Sequence, residues 1–317
     1  MAPRVLVVAQ LPTEWLEPLQ AAGLDIDQAP ELADSPAALC EAAADADAIV
    51  SLLSVPIDDE VLIAGALGRL RVVANIAVGY DNIDVEAAWR HGVAVCNTPG
   101  VLDRATADIA MLLILAACRG ATAAEKSLRR GAWGGWEVTG YLGKDLSGAR
   151  LGLVGFGGIG QAVASRAAAF DMLVHHYARR HTGKPGYVPD LDTLLSQSDV
   201  VSIHVPRSPQ TLGLIDGGRI SRMPRGSVLV NTSRGGILDE DALADALTSG
   251  HLAGAGLDVF AGEPDVNPRL LSAPGLTLLP HIGSATWATR ESMTRMACQG
   301  VVDVLSGRTP TNLVTAT

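Results

Sequence analysis

The chain is short of cysteine, of cations and of long apolar runs, and each shortage closes off a class of protein. Its four cysteines, Cys40, Cys96, Cys118 and Cys298, are far apart and form no CxxC pair, so neither a zinc cluster nor a disulfide framework is expected. Lys and Arg number 24 against 34 Asp and Glu, a formal charge of -10 that opposes a broad nucleic-acid footprint or an anionic-membrane patch. The longest apolar stretch, Ile109 to Cys118, is about half of the ~20 residues a membrane span needs and reads as a buried helix. Met1-Ala2-Pro3-Arg4, followed by Val5 to Ala9, lacks the longer apolar stretch and cleavage site of a signal peptide and reads as a first β-strand. A cytoplasmic protein without nucleic-acid or membrane partners is expected, and no histidine spacing suggests a metal.

What is present is ample core. With 317 residues, 48% apolar and 18% charged, the chain predicts two folded domains of roughly 150 residues each. Aliphatic runs at Val5 to Ala9, Ala48 to Leu53, Val72 to Ile76 and Val93 to Cys96 alternate with alanine-rich helical stretches, the rhythm of buried parallel strands in a doubly wound α/β layer. A long helix is predicted from about Leu102 to Arg119. The texture then changes at Gly131-Ala132-Trp133-Gly134-Gly135-Trp136, where large aromatics on a loop call for a neighbouring subunit, a cleft rim or packing within the chain. From Arg150 the rhythm restarts: Leu151 to Val154, Leu173 to Tyr177, Val200 to Val205, Ser227 to Asn231, Ala255 to Val259 and Leu276 to Leu279 read as strands, with a last helix from about Ala288 to Leu305.

Gly155-Phe156-Gly157-Gly158-Ile159-Gly160 matches GxGxxG, and its setting between the strand Leu151 to Val154 and a helix-prone run makes it a dinucleotide signature. Gly155 permits the tight turn, Gly157 lets the backbone approach a pyrophosphate, and Gly160 lets helix and strand pack closely. The helix amino end supplies free N–H groups and partial positive charge to the phosphates. A site preferring NAD would place Asp or Glu at the carboxyl end of the next strand. That end reads His176-Tyr177-Ala178-Arg179-Arg180, and Asp171 precedes the strand at its other end. Arg179 and Arg180 suit a 2′-phosphate through charge-assisted bonds, which predicts NADPH as the preferred cofactor with NADH weaker; the alternative is a pair of solvated surface charges.

Three polar residues stand at the carboxyl ends of later strands: Arg234 in Asn231-Thr232-Ser233-Arg234-Gly235, Glu263 in Asp258-Val259-Phe260-Ala261-Gly262-Glu263-Pro264, and His281 in Pro280-His281-Ile282-Gly283-Ser284. Here the sequence closely resembles the D-isomer-specific 2-hydroxyacid dehydrogenases over essentially its whole length. Ala74-Asn75-Ile76-Ala77-Val78-Gly79-Tyr80-Asp81-Asn82-Ile83-Asp84 points to the glyoxylate/hydroxypyruvate reductase branch. The chemistry of a 2-oxo acid asks for the same three groups. Arg234 can fork onto the carboxylate and polarise the carbonyl. His281, with an ordinary pKa of about 6.5, can hold the proton for the nascent alkoxide. Glu263 can fix its ring through the other nitrogen.

The resemblance implies the remainder. Two doubly wound parallel-sheet domains are expected, a flavodoxin-like substrate domain of residues 1–98 and 288–317 and an inserted Rossmann dinucleotide domain of residues 99–287. The cofactor would be lined by Thr106, the glycine loop from Gly155 to Gly160, Ala178, Arg179, Arg180, Val205 and Pro206 after His204, Thr232, Ser233, Arg234, Asp258 at the carboxamide, His281 and Gly283. The substrate would meet Leu53, Ser54, Val78, Gly79, Arg234 and His281 in a cleft between the domains, with Trp136 or Trp287 as further apolar walls. A homodimer through the dinucleotide domain is expected. The implied activity is NADPH-dependent reduction of glyoxylate and hydroxypyruvate to glycolate and D-glycerate. The alternatives are other 2-oxo acids such as pyruvate, or a dinucleotide-sensing binding protein on the same scaffold.

Overall fold

In the computed structural model, which describes residues 2–315, the chain forms two compact units: Met1–Leu102 with Ala285–Thr317, and Asp103–Ser284. The first holds a parallel sheet of β1 (Arg4–Val7), β2 (Asp25–Gln28), β3 (Ala48–Ser51), β4 (Val72–Asn75) and β5 (Ala94–Cys96) in the order β2-β1-β3-β4-β5. This is the flavodoxin-like order, which reverses between β1 and β3. The edge strand β2 escapes a hydrophobic reading because Asp25-Ile26-Asp27-Gln28 is half polar; Arg4 on β1 pairs with Asp27 at 2.6 Å instead. The helix Trp287–Leu305 belongs to this unit, where Arg295 reaches Glu17 and Arg71 donates to the carbonyl oxygens of Val304 and Leu305.

The second unit is built on β6 (Arg150–Val154), β7 (Leu173–Tyr177), β8 (Val200–Ile203), β9 (Ser227–Asn231), β10 (Leu252–Leu257) and β11 (Leu276–Leu278), all parallel, in the order β11-β10-β9-β8-β6-β7. A single parallel bridge between His176 and Tyr187 stands outside β7, in the place of a third strand of the dinucleotide fold. β6, β8, β9 and β10 read as largely apolar runs because both faces are covered, whereas the edge strand β7 carries two histidines and is partly exposed. Val201, Leu229, Ala255 and Leu257 pack toward the helices Leu191–Gln197, Gly217–Arg222, Glu240–Thr248 and Pro268–Ser272. Leu151, Leu153, Val200, Val228 and Val230 pack toward the helices Asp103–Arg119 and Gly158–Ala168. A short helix, Ala121–Arg129, follows the long one, a boundary that no proline marks in the sequence.

Gly254 and Gly256 let the long helix lie directly on β10. A Cβ at Gly256 would stand 2.7 Å from the Leu113 Cβ, and one at Gly254 would stand 2.8 Å from the Ala117 carbonyl oxygen. No single helix among the described residues is long and apolar enough to cross a membrane. All four cysteines are unpaired, and burial pushes the thiols of Cys96 and Cys298 up to about 12. Leu113 has no exposed surface in this contact, so Leu113→Ala should destabilise the second unit by about 3 kcal/mol through the cavity it leaves. A fall in the urea midpoint at unchanged slope checks it.

Candidate active site

The ligand edge of each sheet is its carboxyl end at the point where strand order reverses. In the second unit that edge begins with the glycine loop. Gly155 has φ +100°, and a Cβ there would meet the His204 carbonyl oxygen at 2.6 Å. A Cβ on Gly160 would meet the Gly155 carbonyl oxygen at 2.5 Å, whereas Gly157 faces open space. The loop therefore packs tightly on its protein side and leaves its backbone open outward at the first turn of Gly158–Ala168, which fits a pyrophosphate on the helix N-terminus. Gly158, an unspecified position in the pattern, is also confined, because the Asp103 carboxylate lies 1.9 Å from where its Cβ would be.

Phe156 stacks on the buried ring of His176, with centroids 3.7 Å apart. His176 Nε2 bonds the Thr182 hydroxyl at 2.7 Å, and burial, with His175 and His181 nearby, holds its pKa below the ordinary histidine value. The end of β7 carries Ala178 and then the exposed Arg179 and Arg180, and no carboxylate pairs with either guanidinium among the described residues. After β8, His204 is held by Ser202 and Thr232, and desolvation pushes it down to about 4, so its ring is neutral; Pro206 accepts from the Thr211 hydroxyl.

The three predicted catalytic side chains follow β9, β10 and β11. Asn231, buried at the end of β9, organises the first loop: its Nδ2 donates to the Arg234 carbonyl at 2.9 Å, and its Oδ1 accepts from Ser233 N and Oγ. The Glu263 carboxylate accepts the Phe260 N–H at 2.8 Å with one oxygen and meets His281 Nδ1 at 2.7 Å with the other. Burial alone would raise the Glu263 pKa. The bonds from His281 and Phe260 and the charges of His281 and Arg234 outweigh it, and the carboxyl titrates below its ordinary range.

His281 itself has φ +53°, a left-handed conformation unusual outside glycine. Asp258, 1% exposed at the end of β10, holds the turn in place by accepting the N–H groups of Ile282 and Gly283, each at 2.7 Å. Burial raises the Asp258 pKa, and those two N–H groups oppose the rise. Thr106 packs at Gly283, where a Cβ would come within 3.3 Å of its methyl. Sequence reasoning gave Asp258 a role toward the cofactor and passed over its role in this turn; its signal was a lone acidic residue ending an apolar strand.

In the first unit, Leu53 and Ser54 follow β3, and Val78 and Gly79 follow β4. These loops are tied by amides: Asn97 donates to the Val78 carbonyl at 2.8 Å, Asn75 to that of Gly79 at 2.9 Å, and Asn82 to those of Leu52 and Val55.

Residues 111–283 match the family described as D-isomer specific 2-hydroxyacid dehydrogenase, NAD binding domain. The chain belongs to the D-isomer-specific 2-hydroxyacid dehydrogenases. It is 43% identical over 325 residues to a glyoxylate reductase of Korarchaeum cryptofilum, covering 99% of this chain and 96% of the relative. Among solved structures it is similar to a glyoxylate reductase from Paecilomyes thermophila (TM-score 0.88, 34% identity, 99% and 98% of the two chains). It is also similar to an NADPH-dependent glyoxylate/hydroxypyruvate reductase from Sinorhizobium meliloti in complex with NADP and malonate (TM-score 0.85, 33% identity, 99% and 97%). A family member with this glycine loop binds a nicotinamide dinucleotide, and the open backbone at Gly157 fits one.

Asp258→Asn keeps one acceptor oxygen and turns an amide against the remaining N–H. It should cost about 1–3 kcal/mol of stability, read as a drop in Tm, and should lower turnover in parallel as the His281 turn loosens.

Proposed function

We propose that the protein reduces small 2-oxo acids, glyoxylate and hydroxypyruvate among them, to 2-hydroxy acids, with NADPH as the preferred reductant. The observation that carries this reading is the 2.7 Å pair of Glu263 and His281 on the loop edge that also bears Arg234. The names of the relatives support the substrate class. When bound, the dinucleotide supplies the hydride. Arg234 anchors the substrate carboxylate and stabilises the charge growing on the carbonyl oxygen. His281 keeps Nδ1 on Glu263 and presents Nε2 as the acid that protonates that oxygen; Glu263 fixes the orientation of the ring.

Gly155 to Gly160 would hold the pyrophosphate, with Ala178, Val205, Pro206, Thr232, Ser233, Asp258, Thr106 and Gly283 along the rest of the dinucleotide. Arg179 and Arg180 would take the 2′-phosphate. Replacing both by Ala should raise the NADPH Michaelis constant about tenfold or more, the loss of one or two charge-assisted bonds, and leave that for NADH nearly unchanged. An unchanged NADPH constant, or a wild-type kcat/KM that favours NADH, overturns the preference. No oxidation of either cofactor with glyoxylate, hydroxypyruvate or pyruvate overturns the reductase reading and leaves the dinucleotide-binding one.

A second observation bears on assembly. Trp133, Trp136, Val138, Tyr141 and Leu142 are all exposed, Trp136 at 83%, although the segment is anchored: Tyr141 OH bonds Ser127 Oγ at 2.8 Å and Lys144 N donates to the Cys118 carbonyl. Packing within the chain leaves these side chains uncovered, and so much contiguous apolar surface on an ordered segment fits burial against a second copy. Replacing Trp133 and Trp136 together by Ser should convert a dimer to a monomer in sedimentation velocity, and a monomeric wild-type protein removes this reading.

A further inference from the structure

Glu240 is a carboxylate that the mechanism above does not use, and its surroundings tie it to the catalytic pair. It occupies the first position of the helix Glu240–Thr248, beside the capping residue Asp239, whose own carboxylate accepts the Ala242 N–H. The Glu240 side chain leaves its helix and accepts the Ala261 N–H at 2.7 Å. The preceding N–H, that of Phe260, goes to Glu263 at 2.8 Å. Two consecutive backbone donors of one turn are thus each taken by a carboxylate, one from the adjacent helix and one from the turn itself.

The same turn is gripped a second time. A Cβ on Gly235 would lie 1.9 Å from the Phe260 carbonyl oxygen and 2.4 Å from Ala261 N, so the backbone beside Arg234 rests directly on the 260–261 peptide. The segment from Gly235 to Glu240 holds that peptide at both of its own ends, and it is continuous with the loop that carries Arg234.

We propose that Glu240 is a positioning residue for the Glu263–His281 pair: by holding Ala261 N–H it sets where the 260–263 turn stands, and hence where Glu263 meets His281. The proposal rests on the catalytic reading of Arg234, Glu263 and His281. What Glu240 gains in return for partial loss of hydration is the bond from Ala261 N–H, which ties its carboxylate to that turn. Burial pushes the Glu240 pKa up, the Ala261 N–H opposes that, and Asp239, Asp241 and Glu263 add to the rise. The groups facing it are therefore Ala261 N–H and Glu263 across the turn and Asp239 and Asp241 on its own element, with His281 and Arg234 beyond Glu263.

The test is steady-state kinetics with glyoxylate and NADPH on wild type, Glu240→Ala and Glu240→Gln, with NADPH affinity followed by fluorescence and folding by Tm. Glu240→Ala, which frees the turn, should lower kcat about tenfold while NADPH affinity stays within about twofold, because only the acid is misplaced. Glu240→Gln keeps an acceptor for Ala261 N–H and should restore kcat to within about threefold.

Wild-type kcat in both variants overturns the proposal. Equal loss of kcat and of Tm in both, with no rescue by Glu240→Gln, assigns Glu240 to folding alone and also overturns it. His281→Ala runs alongside: turnover that survives there removes the catalytic reading and this proposal with it. Turnover lost there but untouched in both Glu240 variants removes only the positioning role.

Discussion

A buried carboxylate with no cation on it is costly, and Asp258 shows what that cost can secure. Both of its oxygens are taken by backbone N–H groups of the turn after β11, so its charge is stabilised only while that turn stands in place. The turn in its place holds His281 at φ +53°, a conformation that carries strain and persists only when its neighbours determine it. Asp258 N–H also donates to the Asn231 carbonyl at 3.0 Å, joining the end of β10 to the end of β9 and so to the loop of Arg234. Three adjacent parallel strands, about 4.8 Å apart, thereby deliver an arginine, a glutamate and a histidine whose spacing follows from one polar network.

The two units meet the same difficulty with the same device. Loops at the carboxyl edge of a parallel sheet leave the ladder with unpaired backbone groups, and those near the core must find partners. Asn231 supplies them in the second unit, and Asn75, Asn82 and Asn97 in the first. An amide is suited to this because it donates and accepts at once without charge. These residues need not touch a ligand to matter: each fixes the loop next to one that is proposed to.

The reading of residues went furthest where a feature is local. The glycine loop was legible because strand, turn and helix follow one another within about twenty residues, and Gly155 and Gly160 each answer a contact that a Cβ would break, while Gly157 keeps the backbone open. The parallel strands were legible because they are buried on both faces. The edge strand Asp25–Gln28 was not, since an edge half in water carries no hydrophobic run, and Tyr187 holds its place outside β7 by a single bridge. Asn231 lay in a motif already singled out for Arg234, but its work is toward neighbours within three residues and across to β10, which periodicity does not register. Glu240 and the second role of Asp258 depend on pairings over about twenty residues and more, created by the sheet order itself. The burial of His176 under Phe156 likewise follows from β7 lying directly beside β6, a pairing that the local sequence does not mark.

The charge balance can also be placed. In a chain of net charge -10, a surface arginine ordinarily finds a carboxylate, and most here do: Arg4, Arg150, Arg166, Arg219, Arg269 and Arg295 all form ion pairs. Arg179 and Arg180 break that habit because the end of β7 carries no acid, the very position at which an NAD-preferring site needs one. Exposed pairs are worth little each, so leaving these two without a carboxylate among the described residues costs the fold almost nothing. It does keep two guanidiniums at the strand end beside the glycine loop uncommitted, and a net negative charge is screened beyond about 8 Å, so it opposes broad polyanion binding more than a local contact with a small anion.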